Sequence, residues 1–123
     1  MSSDPRHQLG ALGERLAAEH LLRRGFTILE RNYRTRWGEL DIVAYDGVTL
    51  AFVEVKTRRG AAGRTPFESL HARKRDQVRR MAASWLNQRA DRPFARALRF
   101  DAIAVTFDPS GRLLSLEHLE GTF

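Results

Sequence analysis

Apolar residues recur at helical spacing in two stretches of the chain. The first runs from His7 to Arg24, where Gly25 ends it, and its apolar stripe consists of Leu9, Leu12, Leu16, Ala17, His20 and Leu21. The second begins at Thr65-Pro66-Phe67-Glu68, which has the form of a capping box with Pro at the first helical position, and runs to about Asn87. Its buried stripe consists of Leu70, Val78, Met81, Ala82, Trp85 and Leu86. The pattern therefore predicts two amphipathic helices.

Strand-like stretches fill most of the remaining chain. They run over Phe26 to Arg34, Gly38 to Tyr45, Val48 to Lys56, Ala97 to Phe107 and about Arg112 to His118. Asp46-Gly47 tolerates the positive φ values of a two-residue hairpin turn, and Asp108-Pro109-Ser110-Gly111 has a type I turn sequence. The order α-β-β-β-α-β-β, with two helices to cover one sheet, predicts a mixed α/β fold.

Composition narrows the class of protein. The chain has 123 residues, of which 42% are hydrophobic, and no Cys. A chain of this length holds one small core, so we expect a single domain over residues 1–123, and disulfide bonds are excluded. No apolar run approaches the roughly 18 residues that span a bilayer, and the N-terminus lacks a basic-then-apolar signal pattern. We therefore expect a cytoplasmic protein without a membrane partner.

Basic residues are concentrated in the middle of the chain. The net charge is +6, and residues 55–80 alone contribute +7 through nine Lys or Arg and two acids. An excess of this kind indicates an anionic partner, and nucleic acid is favoured over a membrane because no basic amphipathic anchor stands out. The alternative is a solvated loop and helix face.

The predicted hairpin around Asp46-Gly47 gathers acidic residues at its open end. A two-residue loop pairs Tyr45 with Val48, Val43 with Leu50, Asp41 with Phe52, Glu39 with Glu54 and Trp37 with Lys56. One face is then apolar, with Leu40, Ile42, Ala44, Ala51, Val53 and Val55. The other face carries at its far end Glu39, Asp41, Glu54 and Lys56. Like charges across a strand pair are destabilising, so a divalent cation at this patch would remove a penalty.

Two further residues fit a metal-dependent reaction at this patch. Lys56 supplies a positive charge that can orient a water or stabilise charge developing on a phosphorus-bound oxygen. Glu14 has only small residues at i±3 and i±4, so another surface can approach it closely; they are Gly10, Ala11, Ala17 and Ala18. The alternatives are an exposed hairpin end, with Lys56 paired to Glu54 or Glu39, and an ordinary exposed Glu14.

Four segments together resemble one known family. They are Gly13-Glu14, Gly38-Glu39-Leu40-Asp41-Ile42-Val43, Phe52-Val53-Glu54-Val55-Lys56-Thr57-Arg58 and Arg99-Phe100-Asp101. The combination is similar to the YraN-like family of the restriction-endonuclease-like, or PD-(D/E)xK, nuclease superfamily, which resembles the archaeal Holliday-junction resolvases in fold. The resemblance covers nearly the whole chain and implies a restriction-endonuclease-like mixed β-sheet flanked by helices. Leu40 stands where the superfamily pattern has Pro.

The resemblance implies a role for each matching residue. Asp41 and Glu54 correspond to the metal-binding acids, Lys56 to the catalytic lysine and Glu14 to an additional helix-borne acid. Glu39 and Asp101 belong to the family pattern as supporting residues.

The leading hypothesis is a Mg²⁺- or Mn²⁺-dependent endonuclease acting on DNA, with branched and single-stranded DNA among its candidate substrates. The Val55 carbonyl is the third metal oxygen of this hypothesis. In this hypothesis the backbone of the DNA is bound by six basic residues, which are Arg58, Arg59, Arg64, Arg73, Lys74 and Arg75. Junction resolvases act as dimers, and that analogy favours a homodimer.

A second hypothesis is a non-catalytic nucleic-acid-binding module that retains the nuclease fold. Tyr33 and Trp37, among the interleaved Arg31, Arg34 and Arg36, can stack on unpaired bases in this hypothesis. Buried packing is the alternative for the two aromatic residues. A protein-interaction domain with an acidic partner has no feature in its favour. Other chemistries are disfavoured, because the four His lack zinc-ligand spacing and the chain has no thiol, Gly-rich phosphate loop or G-x-S-x-G motif.

Overall fold

The computed structural model describes residues 5–60 and 72–122, with side chains for residues 8–60 and 75–122. Its elements in chain order are α1 (Pro5–Arg23), β1 (Thr27–Thr35), β2 (Gly38–Tyr45), β3 (Thr49–Arg59), α2 (Ala72–Gln88), β4 (Ala97–Phe107) and β5 (Leu113–Leu119). This order confirms the predicted α-β-β-β-α-β-β arrangement. The capping box predicted at Thr65-Pro66-Phe67-Glu68 lies outside the described residues.

The five strands form one mixed sheet in the order β1-β2-β3-β4-β5. Neighbouring strands are antiparallel except β3 and β4, which run parallel and are connected through α2. A parallel pair needs such a crossover, because the chain must return to the same end of the sheet. β3 pairs with β4 over its full length, from Thr49–Ala97 to Arg59–Phe107, so β3 continues three residues beyond the predicted end at Lys56.

One hydrophobic cluster lies on each face of the sheet. On the face that we call the α1 side, Ala17, Ala18 and Leu21 of α1 pack against the strand residues Ile42, Ala44, Ala51, Val53, Ile103 and Val105. On the α2 side, α2 packs against the strands through Val78, Met81, Ala82 and Trp85. The rings of Trp85 and Phe52 meet edge to face at 5.9 Å. Successive residues alternate between the clusters from Ile42 to Tyr45 and from Leu50 to Val53, as a sheet covered on both faces requires.

The hairpin between β2 and β3 differs from its predicted register. Tyr45 pairs with Leu50 and Val43 with Phe52, so the predicted pairs Tyr45–Val48, Val43–Leu50 and Asp41–Phe52 are wrong. The loop is longer because Asp46 Oδ1 accepts hydrogen bonds from the backbone N–H groups of Val48 at 2.9 Å and Thr49 at 2.7 Å.

The longer loop also changes the hydrogen bonding of Val48 and the pairing of residues further from the turn. The Val48 carbonyl accepts from Arg96 N at 2.8 Å, so this residue bonds to the segment before β4 instead of to β2. The pairs Glu39–Glu54 and Trp37–Lys56, predicted further from the turn, rested on the same two-residue loop and are also wrong.

The apolar face predicted for the hairpin is wrong at one position. Leu40 packs in the α2-side cluster, whereas Ile42 packs in the α1-side cluster. Strict alternation would place both residues on one face, so the alternation of β2 is interrupted between them. Asp41 lies at this interruption, which coincides with the end of the β2–β3 register at the Ile42–Val53 pair.

Candidate metal centre

Three carboxylates from two elements converge at the open end of the β2–β3 hairpin. Glu14 of α1 and Glu39 and Asp41 of β2 each present an oxygen, and these oxygens lie within 4.8 Å of one another. All three side chains are partly buried. The sequence predicted that Glu39 and Asp41 lie in one patch and indicated Glu14 only as a separate candidate. In the structure Glu14 lies beside both residues.

Gly13 allows α1 to lie close enough to the sheet for this contact. A Cβ atom at position 13 would lie 2.1 Å from Thr57 Oγ1 and 3.2 Å from Thr57 Cβ. Gly13 is buried, and its lack of a side chain lets the helix approach β3 at that point. The neighbouring Glu14 therefore reaches β2. The sequence indicated a close approach through the small residues three and four positions from Glu14, but the close contact is made at Gly13, whereas a Cβ at Gly10 would have no atom within 4 Å.

Asp41 occupies the point where β2 separates from β3. Its Oδ2 accepts a hydrogen bond of 2.7 Å from the Val55 N–H of β3. The pKa of Asp41 is raised to about 7, chiefly by burial and also by the nearby carboxylates of Glu14, Glu54 and Glu39, while the bond from Val55 opposes the rise. Burial and the neighbouring carboxylates both disfavour the ionised form of Asp41.

Glu54 and Lys56 lie on β3, the strand beside β2 in the sheet. Glu54 is partly buried, its Oε2 atom is shielded from solvent, and it is near enough to Asp41 to raise the pKa of that residue. Lys56 is partly buried and lies two residues beyond Glu54 in the regular β3–β4 register, so the two side chains share a face of the strand. Among the site residues predicted from the sequence, the group with oxygens within 4.8 Å of one another contains Glu14, Glu39 and Asp41. Glu54 is outside this group but acts electrostatically on Asp41.

Asn32 and Arg34 of β1 supply hydrogen-bond donors to the carboxylates. With its amide turned to satisfy both ends, Asn32 donates to Glu14 Oε1 at 2.7 Å and to Glu39 Oε1 at 3.0 Å. Arg34 Nε lies 3.3 Å from Glu39 Oε2. Asn32 has a φ of 55°, a left-handed conformation that Asn adopts more readily than most residues. Sequence reasoning missed Asn32, because an Asn inside a strand pattern shows neither its φ nor its partners.

The predicted DNA-contacting residues are only partly within the described chain. Arg58 is partly buried, and Arg75 is exposed on α2. Arg59 donates from Nε and Nη2 to the Pro109 carbonyl at 3.0 Å and 2.6 Å, so it also stabilises the turn before β5. Arg64 and the side chains of Arg73 and Lys74 lie outside the described residues.

Asp101 forms a separate buried cluster. Its carboxylate is fully buried and accepts from Arg99 at 2.9 Å and 3.0 Å, from His118 Nε2 at 2.8 Å and from Gly121 N at 3.0 Å. Burial raises the pKa of Asp101, but the hydrogen bonds from His118, Arg99 and Gly121 outweigh it and lower the pKa below its ordinary value. His118 Nδ1 in turn lies 3.1 Å from His20 Nε2 of α1. Asp101 therefore connects β4, β5 and α1.

No helix among residues 5–60 and 72–122 combines the length and the apolar character needed to cross a bilayer. The fold and the carboxylate group together define the class of protein, a mixed α/β protein with an acidic centre that can bind a metal ion. Residues 13–105 match the model of a family described as "Uncharacterised protein family UPF0102". The chain belongs to this family, in agreement with the YraN-like resemblance of its motifs.

Relatives in this family cover the chain almost completely. A UPF0102 protein of Nocardia farcinica is 46% identical over 115 residues, which cover 94% of this chain and 88% of the relative. A UPF0102 protein of Frankia alni is 42% identical over 123 residues and covers 100% of both chains. A UPF0102 protein of Dictyoglomus turgidum is 38% identical over 116 residues, covering 94% of this chain and 97% of the relative. The matched region of the family model includes every residue of the acidic centre.

Proposed function

We propose that this protein is a Mg²⁺- or Mn²⁺-dependent endonuclease of the restriction-endonuclease-like superfamily that hydrolyses phosphodiesters of DNA. The observation that supports the proposal is the convergence of Glu14, Glu39 and Asp41 oxygens within 4.8 Å. Glu54 adds a further carboxylate close to Asp41. Gathering so much negative charge is costly in a metal-free protein and is typical of a site for a hard divalent cation.

The donor atoms fit Mg²⁺ or Mn²⁺, because carboxylate oxygens are the ligands that these ions prefer. Asp41 belongs both to the set predicted from the sequence, with Glu54 and Val55, and to the structural group with Glu14 and Glu39. We therefore assign Asp41 as the central ligand. When bound, the cation supplies Lewis-acid stabilisation of the charge on the scissile phosphate.

Lys56 supplies the positive charge of the reaction. In this proposal its ammonium group orients the attacking water and offsets negative charge that develops on the phosphate oxygens. The β3–β4 register pairs Glu54 with Ala102 and Lys56 with Ala104, which keeps the two side chains on one face of a strand bonded along its whole length. A rigid support of this kind holds a catalytic group in position.

Basic residues of β3 and α2 supply the contacts to the DNA backbone. Arg58 and Arg59 continue β3 beyond Lys56, and Arg75, Arg79 and Arg80 lie on exposed turns of α2. Phosphate contacts give affinity without sequence preference, so structured DNA in the cytoplasm is the expected substrate class. Cutting two strands of a branched substrate needs two such centres, and a homodimer provides them.

The test is cleavage of a labelled panel of single-stranded, duplex, flap and four-way-junction DNA in Mg²⁺, Mn²⁺ or EDTA. The parent is compared with Asp41→Asn, which keeps the shape of the side chain, and with Asp91→Asn, which changes an exposed carboxylate outside the centre. The same samples are run on a native gel to measure binding. The proposal expects metal-dependent cutting that Asp41→Asn abolishes and Asp91→Asn retains.

Two results would contradict the nuclease proposal. If Asp41→Asn still cuts DNA, the acidic centre does not catalyse the cleavage. Salt-dependent binding without cutting in either metal, unaffected by EDTA and by Asp41→Asn, would identify a non-catalytic binding module instead.

A further inference from the structure

A pocket lies between the tip of the β1–β2 hairpin and the outer surface of α2. It has a volume of about 340 Å³ and is lined by Trp37, Arg80, Ala83, Ser84, Asn87 and Gln88. Thr35 pairs with Gly38, so the hairpin loop consists of Arg36 and Trp37 alone. The indole ring therefore stands at the end of a two-residue turn and forms one wall of the pocket.

Backbone contacts hold Trp37 against α2. Its N–H donates to Thr35 Oγ1 at 3.0 Å, and its carbonyl accepts from Gln77 Nε2 of α2. The next residue, Gly38, has a φ of +135°, and a Cβ atom there would lie 2.7 Å from Gln77 Nε2. Gly38 thus permits the close contact between the hairpin and the helix. A preorganised aromatic wall loses little conformational entropy when it binds a ligand.

The walls of the pocket have the chemistry that a nucleobase requires. The Trp37 ring forms one wall. The guanidinium carbon of Arg36, which is not one of the lining residues, lies 4.5 Å from the centroid of that ring in a cation–π contact. Arg80, Asn87 and Gln88 place polar groups at the opposite wall. Tyr33 donates to Gln88 Oε1 at 2.9 Å and bonds Ser84 Oγ at the same distance, which fixes both side chains of α2.

We propose that this pocket binds an unpaired nucleobase of single-stranded DNA, with the base stacked on Trp37. A base inside a duplex is stacked on both sides and cannot enter, so the pocket selects single-stranded segments or unpaired ends. Both aromatic residues pack against the α2-side cluster, but only Trp37 lines the pocket. Tyr33 does not stack in this proposal, because its hydroxyl is bonded to Ser84 and Gln88 of α2. Stacking is therefore assigned to Trp37 among the two aromatic residues that the sequence suggested.

The pocket and the acidic centre lie at the same end of β2. Trp37, in the turn, precedes Glu39 of β2 by two residues. The pocket lies on the α2 side of the sheet, whereas Glu14 approaches the centre from α1. The assignment of this base to the substrate rests on the proposed nuclease function, whereas the binding of a base by the pocket does not.

The experiment measures binding of fluorescein-labelled DNA by anisotropy, in EDTA so that no strand is cut. The ligands are a single strand, a duplex of the same sequence and a single strand composed of abasic sites, which keeps the phosphates without the bases. The variants are Trp37→Ala and Trp37→Phe, together with Arg80→Ala and its matched control Arg112→Ala, which removes an exposed arginine far from the pocket. Circular dichroism confirms that each variant is folded.

We expect Trp37→Ala to weaken single-strand binding by about tenfold and to leave duplex binding unchanged, because loss of one stacked base has this size of effect. Trp37→Phe should restore most of the affinity, and the abasic strand should not distinguish the variants. Arg80→Ala should weaken single-strand binding more than Arg112→Ala.

Equal single-strand binding by Trp37→Ala and the parent overturns the pocket, and so does a failure of the parent to prefer the single strand over the abasic strand. If either of these results is found together with metal-dependent cutting, the base-binding role of the pocket is wrong and the nuclease proposal is still supported. Trp37-dependent binding without cutting in any metal upholds the pocket and overturns the nuclease proposal.

Discussion

The backbone N–H of Val55 donates a 2.7 Å hydrogen bond to Asp41 Oδ2, across the point where β2 separates from β3. A carboxylate oxygen here takes the place of the backbone acceptor that the departing strand no longer offers. The opening in the sheet therefore leaves Val55 N–H satisfied, as a buried backbone donor requires. Asp41 is fixed by this bond at the position where Glu14, Glu39 and Glu54 approach it.

Metal-free protein should lose stability as the pH rises, because of Asp41. Its pKa is about 7 in the folded protein against an ordinary 3.8, chiefly because it is buried and also because other carboxylates are near. A raised pKa means that the protonated form is favoured by folding. The contribution is complete below pH 3.8 and is lost as the pH rises through 7. The full shift corresponds to a loss on the order of 4 kcal/mol in the free energy of unfolding.

Urea unfolding in EDTA at a series of pH values measures this loss. Asp41→Asn, which cannot ionise, should flatten the profile through neutral pH, whereas the exposed Asp91→Asn should reproduce the parent. A parent profile that does not fall between acid and neutral pH would contradict the raised pKa of Asp41.

Lys56→Ala should separate DNA cleavage from DNA binding. Loss of a group that stabilises transition-state charge typically lowers the rate by about 10²- to 10³-fold. One fewer positive charge among many basic residues should change affinity only slightly. Single-turnover cleavage and gel binding, with Arg112→Ala as the control for charge, provide the measurement. Cleavage by Lys56→Ala at the parental rate would remove the proposed role of the lysine.

Gly13→Ala should destabilise the fold, while Gly10→Ala should not. The added Cβ at position 13 meets Thr57 Oγ1 at 2.1 Å, so α1 must move away from β3 at a cost of about 1–3 kcal/mol. Position 10 lies in the same helix with nothing within 4 Å, and there alanine should stabilise by about 0.5–1 kcal/mol. Chemical denaturation gives both values.

A second-site change tests the cause of the Gly13 effect. Thr57→Ala removes the oxygen nearest to the new methyl group, so it should recover part of the stability lost by Gly13→Ala. Strictly additive effects of the two substitutions would show that the helix and β3 are not coupled at this contact.

Asp101→Asn should lower stability by about 2–4 kcal/mol, because the buried Arg99 and His118 contacts lose their ionised acceptor. The pKa of Asp101 is lowered, chiefly by hydrogen bonds that outweigh burial, so its contribution is present above its ordinary 3.8 and is lost as the pH falls below that value. Thermal unfolding across acidic pH measures the effect. Glu120→Gln is the control, since it alters an exposed partner of Arg99 at 3.5 Å, where ion pairs contribute little.

The extent of a strand was predictable where a run of mostly apolar residues ends at a polar turn. β2 (Gly38–Tyr45) and β4 (Ala97–Phe107) have the bounds that the sequence predicts, because each strand is packed on both faces and ends at a polar turn. The register was not predictable from Asp46-Gly47. Its geometry depends on the Asp46 side chain bonding Val48 and Thr49, and on Val48 bonding Arg96, a residue distant in the sequence.

The sequence predicted which residues form the acidic centre better than it predicted how they are arranged. Glu39 and Asp41 stand two residues apart on one strand, and small neighbours marked Glu14. The interruption of β2 at Asp41 and the left-handed Asn32 have no periodic trace in the sequence, since both arise where the strands separate. The predicted pair Glu39–Glu54 was wrong because it rested on the assumed two-residue loop, and the β2–β3 register in addition ends at Ile42–Val53.

The crossover between β3 and β4 separates elements that can assemble early in folding from elements that can join only later. Every carboxylate of the acidic centre precedes β4, and the pairing of β1, β2 and β3 joins residues close in sequence. The parallel pairing must close a loop from Arg59 to Ala97, which costs more entropy and forms more slowly. During synthesis the strands that carry the carboxylates can therefore assemble first. β4 joins β3 later, and Asp101 bonds it to His118 of β5, which in turn contacts His20 of α1.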